Sequence, residues 1–361
     1  MSKPSKANLF LVIMAGGSGT RFWPKSTARR PKQLLSFGAG GVGASQGQSL
    51  LRETLRRFDS LVPKNQRLVV TTELLVEPIR EDAGPGEVTV LAEPQGRNTA
   101  PCIYWAAQEV FKRDRKGVML VMPADHFMSH PAEFSAAVAK AADWAFHHDD
   151  LVTLGVQPMR AETGYGYLKT GKPVGDQGAL RVEAFVEKPN LKKAEEFVAS
   201  GDYFWNGGMF LWRADVILKA FDTHMPEMKR AWDQARGDAP TAYPKLTATS
   251  IDYGVMEKAN NVVTFPLDCG WDDVGSWTSL EGLAGFLNAR KAGNIVTAGE
   301  TVAIDSQDNI VDVPGRLVAL LGVNDLIIVQ AGESLLVASK ERAQDIRLIV
   351  DQVKKVRPDL V

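Results

Sequence analysis

The strongest constraint on the fold is the alternation of short apolar runs with longer helical patterns in the first half of the chain. The first run, Leu9–Met14, is continuously apolar, which is typical of a parallel strand buried on both faces. Ser49–Phe58 then carries apolar residues at helical spacing. The pattern repeats, with strands predicted at Arg67–Thr72, Val88–Ala92, Val118–Met122 and Leu151–Val156 and helices from Glu73, at Asn98–Lys112 and at Ala132–Phe146. This order predicts an α/β fold in which a parallel sheet carries helices on both faces.

The chain changes character near residue 294. Five short β-type runs follow, at Val302–Ile304, Ile310–Val313, Leu317–Leu321, Leu326–Val329 and Leu335–Ala338. Their spacing of about eight residues predicts an all-β module, either a sandwich or a solenoid coil of parallel strands. A charged helical stretch, Lys340–Lys355, comes after them. We therefore predict two domains, residues 1–290 and residues 291–361.

Composition argues against several classes of protein. Among 361 residues, 42 Lys and Arg stand against 43 Asp and Glu, so there is no basic excess for coating nucleic acid. The two cysteines, Cys102 and Cys269, cannot build a disulfide framework or a four-cysteine metal site. No run approaches the roughly 18 apolar residues of a membrane span, and Leu9–Ala15 is too short for a secretory signal. We expect a cytoplasmic protein with neither a nucleic-acid nor a membrane partner.

A glycine-rich segment directly follows the first predicted strand. Ligands of parallel sheets bind beyond the carboxyl ends of the strands, so this position bears on function. The segment runs Met14-Ala15-Gly16-Gly17-Ser18-Gly19-Thr20-Arg21. Glycines let backbone amides approach an anion closely and adopt positive φ. We therefore predict a phosphate-binding loop in preference to a simple tight turn.

Neither of the two most familiar phosphate-loop patterns fits this segment. The Walker pattern ends in Gly-Lys-Ser or Gly-Lys-Thr, whereas here Gly19 is followed by Thr20 and Arg21. The dinucleotide pattern needs a third glycine where Phe22 stands and an acid about 20 residues on. Residues 36–48 contain no Asp or Glu. The loop is therefore of another nucleotide-binding class.

Cations are concentrated just after the glycine loop. They are Arg21, Lys25, Arg29, Arg30 and Lys32, with Pro24 and Pro31 between them to stiffen the segment. A solvated surface loop is the ordinary explanation of such a run. Because this run is continuous with the glycine loop, however, some of its cations can converge on the same phosphates. Fixed cations of this kind offset the charge that develops in phosphoryl or nucleotidyl transfer.

Two distant acidic positions are candidate metal ligands. Asp125 follows the predicted strand Val118–Met122, and Asp272 and Asp273 lie side by side much later. Mg²⁺ takes one or two carboxylates together with substrate phosphates, so acids that meet at one cleft suit it. Each acid alone could equally be a helix cap or a turn residue. His126 has no second histidine at ligand spacing, and we interpret it either as structural or as a residue that supports a neighbouring ligand.

The glycine loop and its cations, Ala15–Pro24 and Pro31–Gln33, resemble the signature of the sugar-nucleotide pyrophosphorylases. Further segments resemble one branch of that family, the mannose-1-phosphate guanylyltransferases. They occur in order at Glu93–Pro101, Pro123–His126, Glu162–Tyr167, Val186–Pro189, Phe204–Phe210, Ile251–Glu257 and Trp271–Trp277. The resemblance implies a Rossmann-like nucleotidyltransferase domain with a mostly parallel mixed sheet, followed by a small C-terminal β-helix-like domain.

The resemblance also implies roles for individual residues. Nucleotide binding is implied for Ala15, Gly16, Gly17, Ser18, Gly19, Thr20, Glu93, Asn98 and Thr99. Catalytic contacts to the triphosphate are implied for Arg21 and Lys32, with Lys25 as an assistant, and Mg²⁺ binding for Asp125 and Asp273 rather than Asp272. Sugar-phosphate binding is implied for Gly166, Glu187, Lys188, Asn206 and Gly207. We interpret Trp205, Phe210 and Trp212 as core, and the glycine-rich stretch 38–48 as a loop near the site.

The implied reaction joins GTP and mannose 1-phosphate into GDP-mannose and pyrophosphate. We expect the sugar phosphate to attack the α-phosphorus directly and in line, which fits a sequence with no Ser–His–acid or Cys–His nucleophile pattern. Alternatives are the same chemistry on another sugar phosphate or nucleotide, and a non-catalytic regulatory relative. The joint presence of Arg21, Lys32, Asp125 and Asp273 favours an enzyme. The family further suggests a homodimer.

Overall fold

The computed structural model describes residues 8–17, 19–37 and 47–361, so Ser18 and most of the stretch 38–48 lie outside the described residues. The strands are β1 Leu9–Met14, β2 Arg67–Thr72, β3 Thr89–Glu93, β4 Val118–Pro123, β5 Phe127–Met128, β6 Leu151–Val156, β7 Gly166–Val174, β8 Ala179–Glu187, β9 Tyr203–Arg213, β10 Val262–Leu267, β11 Trp271–Asp272, β12 Arg290–Lys291, β13 Asn294–Ile304, β14 Ile310–Leu321, β15 Leu326–Ala331 and β16 Ser334–Ser339. The α-helices are α1 Leu50–Arg56, α2 Val76–Ala83, α3 Thr99–Arg113, α4 Pro131–His147, α5 Leu191–Ser200, α6 Ala214–His224, α7 Pro226–Gln234, α8 Ala239–Ala242, α9 Leu280–Leu283 and α10 Ile346–Val356. Within the described residues, none of the helices is both long and apolar enough to cross a bilayer.

The main sheet of the first domain has nine strands, in the spatial order β3-β2-β1-β4-β9-β6-β10-β8-β7, and β9 also pairs with β7. The part that holds the glycine loop, β3-β2-β1-β4, is parallel throughout. Strand β9 runs antiparallel to both β4 and β6, so the sheet is mixed. The carboxyl ends of β1, β3 and β4 meet at one edge, which brings Ala15, Glu93 and Asp125 together.

Strand β1 shows why this sheet is covered on both faces. Leu11 and Ile13 belong to one hydrophobic cluster, and Phe10 and Val12 belong to another. None of the four is more than 2% exposed. Because β1 is apolar at every position, its side chains pack into the cores on both faces of the sheet, as predicted for a buried parallel strand.

The sheet departs from parallel order around β7, β8 and β9. Strands β7 and β8 pair antiparallel, and residues 175–178 connect them. Gly175 and Gly178 both have positive φ in this turn. Such a short connection cannot hold a crossover, so the two strands must be antiparallel neighbours. The predicted mixed sheet is confirmed, but its second half is largely antiparallel.

The C-terminal module is a coil of strands. Strands β13, β14 and β15 pair in parallel, and β12 and β16 add antiparallel edges. A cluster inside the coil contains Val296, Val311, Val313, Leu320 and Ile328. Parallel pairing between successive strands is the geometry of a solenoid, so the structure supports that alternative over a sandwich.

Two boundaries predicted in this module were wrong. The runs Ile310–Val313 and Leu317–Leu321 belong to the single strand β14, and the run at Val302 is only the end of β13. Pairing shifts register between β13 and β14 beside Gly299, which has φ +88°. A Cβ at Gly299 would lie 2.2 Å from the Val313 carbonyl oxygen. Glycine thus allows a bend where the sequence pattern suggested a break.

The two modules share one hydrophobic cluster. The ring centroid of Phe22 lies 5.2 Å from that of Phe37 and 5.3 Å from that of Trp277. The same cluster includes Ile295 and Ile310 of the coil. The coil therefore packs directly behind the segment that holds the predicted cations.

Candidate active site

A cavity of about 340 Å³ opens at the carboxyl ends of β1, β3 and β4. It brings together predicted nucleotide-binding residues from separate segments, namely Ala15, Gly16, Gly17, Glu93, Asn98 and Thr99. The Ala15 carbonyl oxygen accepts hydrogen bonds from Gln33 Nε2 at 2.8 Å and Thr71 Oγ1 at 2.9 Å. These two bonds fix the start of the glycine loop against the sheet. We call this the glycine-loop cavity.

Glu93 is the buried acid of the glycine-loop cavity. It is 4% exposed, and its Oε1 accepts a hydrogen bond from the Tyr243 hydroxyl at 3.1 Å. Burial raises the pKa of Glu93 to about 7, against the opposing effect of the Tyr243 hydrogen bond. Near neutral pH, this carboxyl group can therefore act as a donor or an acceptor toward a polar ligand edge.

Asn98 and Thr99 line the same cavity and also begin helix α3. Asn98 has φ +65°, and its Oδ1 accepts a hydrogen bond from the Thr99 N–H at 2.8 Å. Thr99 Oγ1 accepts another from the Ile251 N–H at 2.9 Å. The two side chains thus tie the helix start to a distant segment, and they have structural partners as well as a face on the cavity.

A second cavity of about 820 Å³ is lined mainly by polar groups. Its charged lining residues are Arg21, Arg160, Glu162, Lys188, Asp272, Asp273 and Glu281. Arg21 and Lys188 are the predicted phosphate-side residues, and Asp273 is a predicted metal ligand. We call this the polar cavity.

Lys32 contacts one acid from each cavity, and we call this group of three residues the junction. Its Nζ is 2.9 Å from Asp125 Oδ2, and it also donates to the main-chain oxygen of Asp273. Asp125 lines the glycine-loop cavity, whereas Asp273 lines the polar cavity. Burial acts to raise the pKa of Asp125, but the Lys32 ammonium, His126 and hydrogen bonds to the carboxylate together outweigh burial and hold that pKa below its usual value. The predicted cation and both predicted acids therefore converge.

The chemistry of this junction fits a divalent cation. The Lys32 ammonium already balances the Asp125 carboxylate, which shows that the position accepts positive charge. Over the described ranges, no group of three or more His, Cys, Asp or Glu side chains is placed to enclose a metal. Mg²⁺ commonly uses only one or two carboxylates and completes its shell with water and substrate phosphates. Asp125 and Asp273 suit that arrangement.

The neighbours Asp272 and Asp273 make different contacts. Asp272 Oδ1 accepts a hydrogen bond from the Val274 N–H at 2.7 Å, and Val274 has φ +48°. Asp272 therefore stabilises a turn, and burial raises its pKa to about 6. Asp273 Oδ1 instead accepts from the Tyr165 hydroxyl at 2.8 Å. The choice of Asp273 rather than Asp272 as a metal ligand stays a prediction.

Three residues with an implied sugar-binding role meet on neighbouring strands. Gly166 pairs with Glu187 of β8 and with Asn206 of β9. A Cβ at Gly166 would lie 2.7 Å from Glu187 Oε2, so glycine keeps this carboxylate accessible. Asn206 Nδ2 donates to Asp252 Oδ1 at 2.7 Å. Lys188 follows Glu187, and its Nζ lies 3.0 Å from Glu187 Oε1.

Several predicted glycine-loop and sugar-site residues lie outside the lining of both cavities, namely Gly19, Thr20, Gly166, Glu187, Asn206 and Gly207. A Cβ at Gly19 would lie 2.4 Å from the Cβ of Lys32, so this glycine permits the approach of Lys32. Thr20 lines a separate cavity of about 400 Å³ beside α10. Gly207 is buried, and a Cβ there would lie 2.8 Å from Met209 Cε. Gly19 and Gly207 thus support the site through close packing.

Two predicted cations contact the C-terminal coil and the residues after it. Lys25 Nζ lies 2.6 Å from Asp312 Oδ1, and the Asp312 side chain is fully buried. Arg21 Nη1 donates to Gln344 Oε1 at 2.9 Å while it lines the polar cavity. Lys25 lines neither the glycine-loop cavity nor the polar cavity. Its position does not support the prediction that it assists at the phosphates.

Aromatic rings pack together next to Asp273. The Tyr165 ring centroid lies 5.2 Å from both the Trp205 and the Trp271 centroids. Trp271 Nε1 donates to His126 Nδ1 at 3.1 Å, and burial lowers the pKa of His126 to about 4. His126 is therefore neutral and supports the structural interpretation. Trp205, Phe210 and Trp212 are all buried, as predicted.

Sequence reasoning missed three polar residues at the site. Tyr165 touches Asp273, Asp252 touches Asn206, and Arg160 lines the polar cavity. Two of them lie in segments already noted for their resemblance, Glu162–Tyr167 and Ile251–Glu257. In the sequence, each of these residues is only a polar side chain beside a glycine or near a strand end. That pattern does not identify the residue that the side chain contacts.

The sheet, the glycine loop at its carboxyl edge and the converging cations and carboxylates define a nucleotidyltransferase. The nucleotidyl transferase family model matches residues 11–289, and a MannoseP isomerase/GMP-like beta-helix domain model matches residues 299–353. These matches confirm the predicted fold class. The predicted domain boundary near residue 290 stays a prediction.

Similar proteins narrow the family further. The mannose-1-phosphate guanylyltransferase of Escherichia coli (strain K12) is 34% identical over 97% of this chain and 74% of its own length. Mannose-1-phosphate guanylyltransferase RfbM of Salmonella typhimurium is 36% identical over 95% of this chain and 72% of its own length. A solved structure from Thermus thermophilus, described as a mannose-1-phosphate geranyltransferase, is 33% identical with a TM-score of 0.86 and covers 96% of this chain and 99% of its own. The chain belongs to the mannose-1-phosphate guanylyltransferase family of nucleotidyl transferases.

Proposed function

We propose that this chain transfers the guanylyl group of GTP to mannose 1-phosphate and releases pyrophosphate. The observation that carries the proposal is the junction at Lys32, whose ammonium contacts Asp125 of the glycine-loop cavity and the main-chain oxygen of Asp273 of the polar cavity. One cavity suits the nucleoside, and the other suits the sugar phosphate and the departing phosphates. The choice of guanine and mannose rests on the guanylyltransferase relatives.

The proposed reaction is a displacement at the α-phosphorus. A phosphate oxygen of mannose 1-phosphate forms the new bond while the bond to the β-phosphate oxygen breaks, and pyrophosphate leaves with that electron pair. A phosphate monoester has its second pKa near about 6, so the attacking oxygen needs no protein base. The chain has to hold two anions in line and offset their mutual repulsion.

Arg21 and Lys32 supply the positive charge for that task. Lys32 is the better placed, because its ammonium already lies at the junction, with only 10% of its side chain exposed. A buried cation interacts strongly with charge that develops on nearby phosphate oxygens. We propose that Lys32 exchanges its contact with Asp125 for the triphosphate when the nucleotide binds, which leaves Asp125 free.

A divalent cation belongs to the chemistry of this family, and we propose Mg²⁺ for this chain. Asp125 and Asp273 would hold it. When bound, Mg²⁺ neutralises charge on phosphate oxygens. The hydrogen bond from Tyr165 orients the Asp273 carboxylate. The antiparallel pair β5–β11 joins the segment after Asp125 to the segment before Asp273.

The sugar would bind beside the polar cavity. Glu187 can accept hydrogen bonds from sugar hydroxyls, and Asn206 can both donate and accept. Gly166 lets the ring approach the backbone, and Lys188 lines the cavity near the position of the sugar phosphate. Asp252 adds a second carboxylate to this group, held by Asn206.

We further propose that the protein is a homodimer formed through the coil. Val302, Ile304, Leu317 and Leu321 are 54%, 59%, 62% and 74% exposed on paired strands β13 and β14. Contiguous exposed apolar residues mark interaction surfaces. Sedimentation velocity should show a dimer for the wild type and a monomer for the double variant I304K/L321K, and a monomeric wild type would contradict the proposal.

We also propose a cytoplasmic location. Both cysteines, Cys102 and Cys269, are buried and unpaired, which suits a reducing compartment. Fractionation of cells that express the tagged chain would test this location.

The central experiment measures pyrophosphate release with Mg²⁺ present. GTP, ATP, UTP and dTTP are each combined with mannose, glucose and fucose 1-phosphates. Release confined to GTP with mannose 1-phosphate supports the proposal. Release with another pair keeps the mechanism and overturns the substrate assignment, and no release from folded protein with any pair overturns the proposed activity.

A further inference from the structure

Arg160 is a cation of the polar cavity that the family resemblance did not assign. It lies in the connection between β6 and β7, and its side chain is 50% exposed. Its guanidinium carbon stands 5.4 Å from the centroid of the Trp205 ring. The face of an aromatic ring attracts a guanidinium group, so this contact restricts where the Arg160 charge lies before any ligand arrives.

The protein partners of Arg160 hold it loosely. Nε lies 3.4 Å from Glu162 Oε2, and Nη2 lies 3.9 Å from Asp272 Oδ2. Charge-assisted hydrogen bonds are usually about 2.7–2.9 Å long, so both contacts are weak. Within the described part of the chain, Nη1 makes no hydrogen bond. Arg160 therefore retains donors for an anion, in the fork geometry that phosphate oxygens match.

The neighbours of Arg160 define which phosphate it would meet. Arg160 lines the polar cavity, whereas the proposed sugar ligand Asn206 pairs with Gly166 outside its lining. Tyr165 lines the same cavity, and the next residue, Gly166, approaches the same sugar position. Lys188 lines this cavity as well. Because the resemblance implies that Lys188 binds the sugar phosphate, Arg160 shares its cavity with a residue expected at that phosphate.

We propose that Arg160 binds the phosphate group of the sugar 1-phosphate and thereby sets the affinity for that substrate. The inference rests on the proposed function and adds a residue to it. On binding, the guanidinium exchanges its weak contacts with Glu162 and Asp272 for two hydrogen bonds to phosphate oxygens. The contact with Trp205 restricts where the Arg160 charge lies throughout.

The test compares R160Q with wild type in pyrophosphate release. A hydrogen bond to a charged group changes affinity by about tenfold to a hundredfold. We expect the KM for mannose 1-phosphate to rise by that factor, while kcat and the KM for GTP stay within about twofold. R160K, which retains the charge and loses the fork, should fall between the two.

The matched control is R115Q. The Arg115 guanidinium carbon also lies over an aromatic ring, 5.0 Å from the centroid of Phe111, but Arg115 is outside the lining of both cavities. It should leave all three kinetic constants unchanged. Circular dichroism and thermal melting of each variant establish that it is folded.

The reverse reaction distinguishes binding of the sugar phosphate from binding of pyrophosphate. With GDP-mannose and pyrophosphate as substrates, R160Q should leave the KM for pyrophosphate unchanged. A raised KM for pyrophosphate, or a lower kcat with unchanged KM for mannose 1-phosphate, would overturn the inference. The substrate matrix on wild type judges the proposed function separately, and the R160Q comparison then uses whichever sugar 1-phosphate the wild type accepts. Should the wild type accept none, calorimetric titration with mannose 1-phosphate decides, because equal affinity of wild type and R160Q refutes the role of Arg160.

Discussion

Replacement of Lys25 by Met tests whether the ion pair with Asp312 supports the cationic loop. Asp312 has no exposed side-chain area, and Lys25 is 20% exposed. Without the ammonium, the Asp312 carboxylate stays buried and keeps only the hydrogen bond from Thr297 Oγ1 at 2.7 Å as a side-chain partner. Loss of one member of a buried pair costs about 3–5 kcal/mol. Because water reaches Lys25, we expect the lower end, about 3 kcal/mol.

Urea unfolding of K25M, D312N and the double variant measures this cost. The double variant should be less destabilised than the sum of the single variants, with a coupling of at least about 1 kcal/mol. K112M is the control, because Lys112 is 58% exposed and pairs with Glu109 at the surface. It should change the free energy of unfolding by less than about 1 kcal/mol.

The same variants separate structural support from direct catalysis by Lys25. If the pair only supports the loop, K25M and D312N should lower kcat to similar extents at a temperature where both are folded. A loss of kcat confined to K25M would instead indicate that Lys25 contacts the phosphates. Wild-type stability in K25M, or strict additivity in the double variant, would refute the reasoning from burial.

Three other predictions follow from the site. D125N and D273N should each lower kcat by about a hundredfold or more while circular dichroism stays unchanged, and near-wild-type turnover would remove that residue from the metal site. Burial raises the pKa of Glu93 from 4.5 to about 7, so the folded state binds the proton more tightly and stability falls as pH rises through that interval. Wild type should therefore lose more unfolding free energy than E93Q between about pH 5 and pH 8, and parallel curves would contradict this. Y165F removes the hydrogen bond that orients Asp273, so it should lower kcat about tenfold with little change in the KM for GTP. An unchanged kcat would refute this role of Tyr165.

Much of the first domain was predictable because its signals are local. The continuous apolar run of β1 and the glycines that follow it predict a buried strand and a loop at its carboxyl end. Asp125 sits just past another such strand, so its place at the same edge follows from parallel order. The prediction that Asp125 lies near Asp273 came from the family resemblance. The structure adds that Lys32 contacts both residues.

The unpredicted features depend on partners far apart in the chain. Lys25 and Asp312 are 287 positions apart, and Tyr165 and Asp273 are 108 apart, so no pattern within one segment identifies these pairs. The irregularity beside Gly299 in β13 was misjudged for a different reason. A glycine at an irregularity inside a strand and a glycine at a strand end look alike in sequence, and only the pairing with β14 distinguishes them.

Phe22, Trp277 and Ile310 belong to one hydrophobic cluster, so the coil cannot be exchanged without affecting the first domain. A recombination event that joined the first domain to an unrelated C-terminal module would uncover Phe22 and leave Lys25 without Asp312. A replacement coil would therefore have to supply both an apolar surface for Phe22 and a buried carboxylate for Lys25.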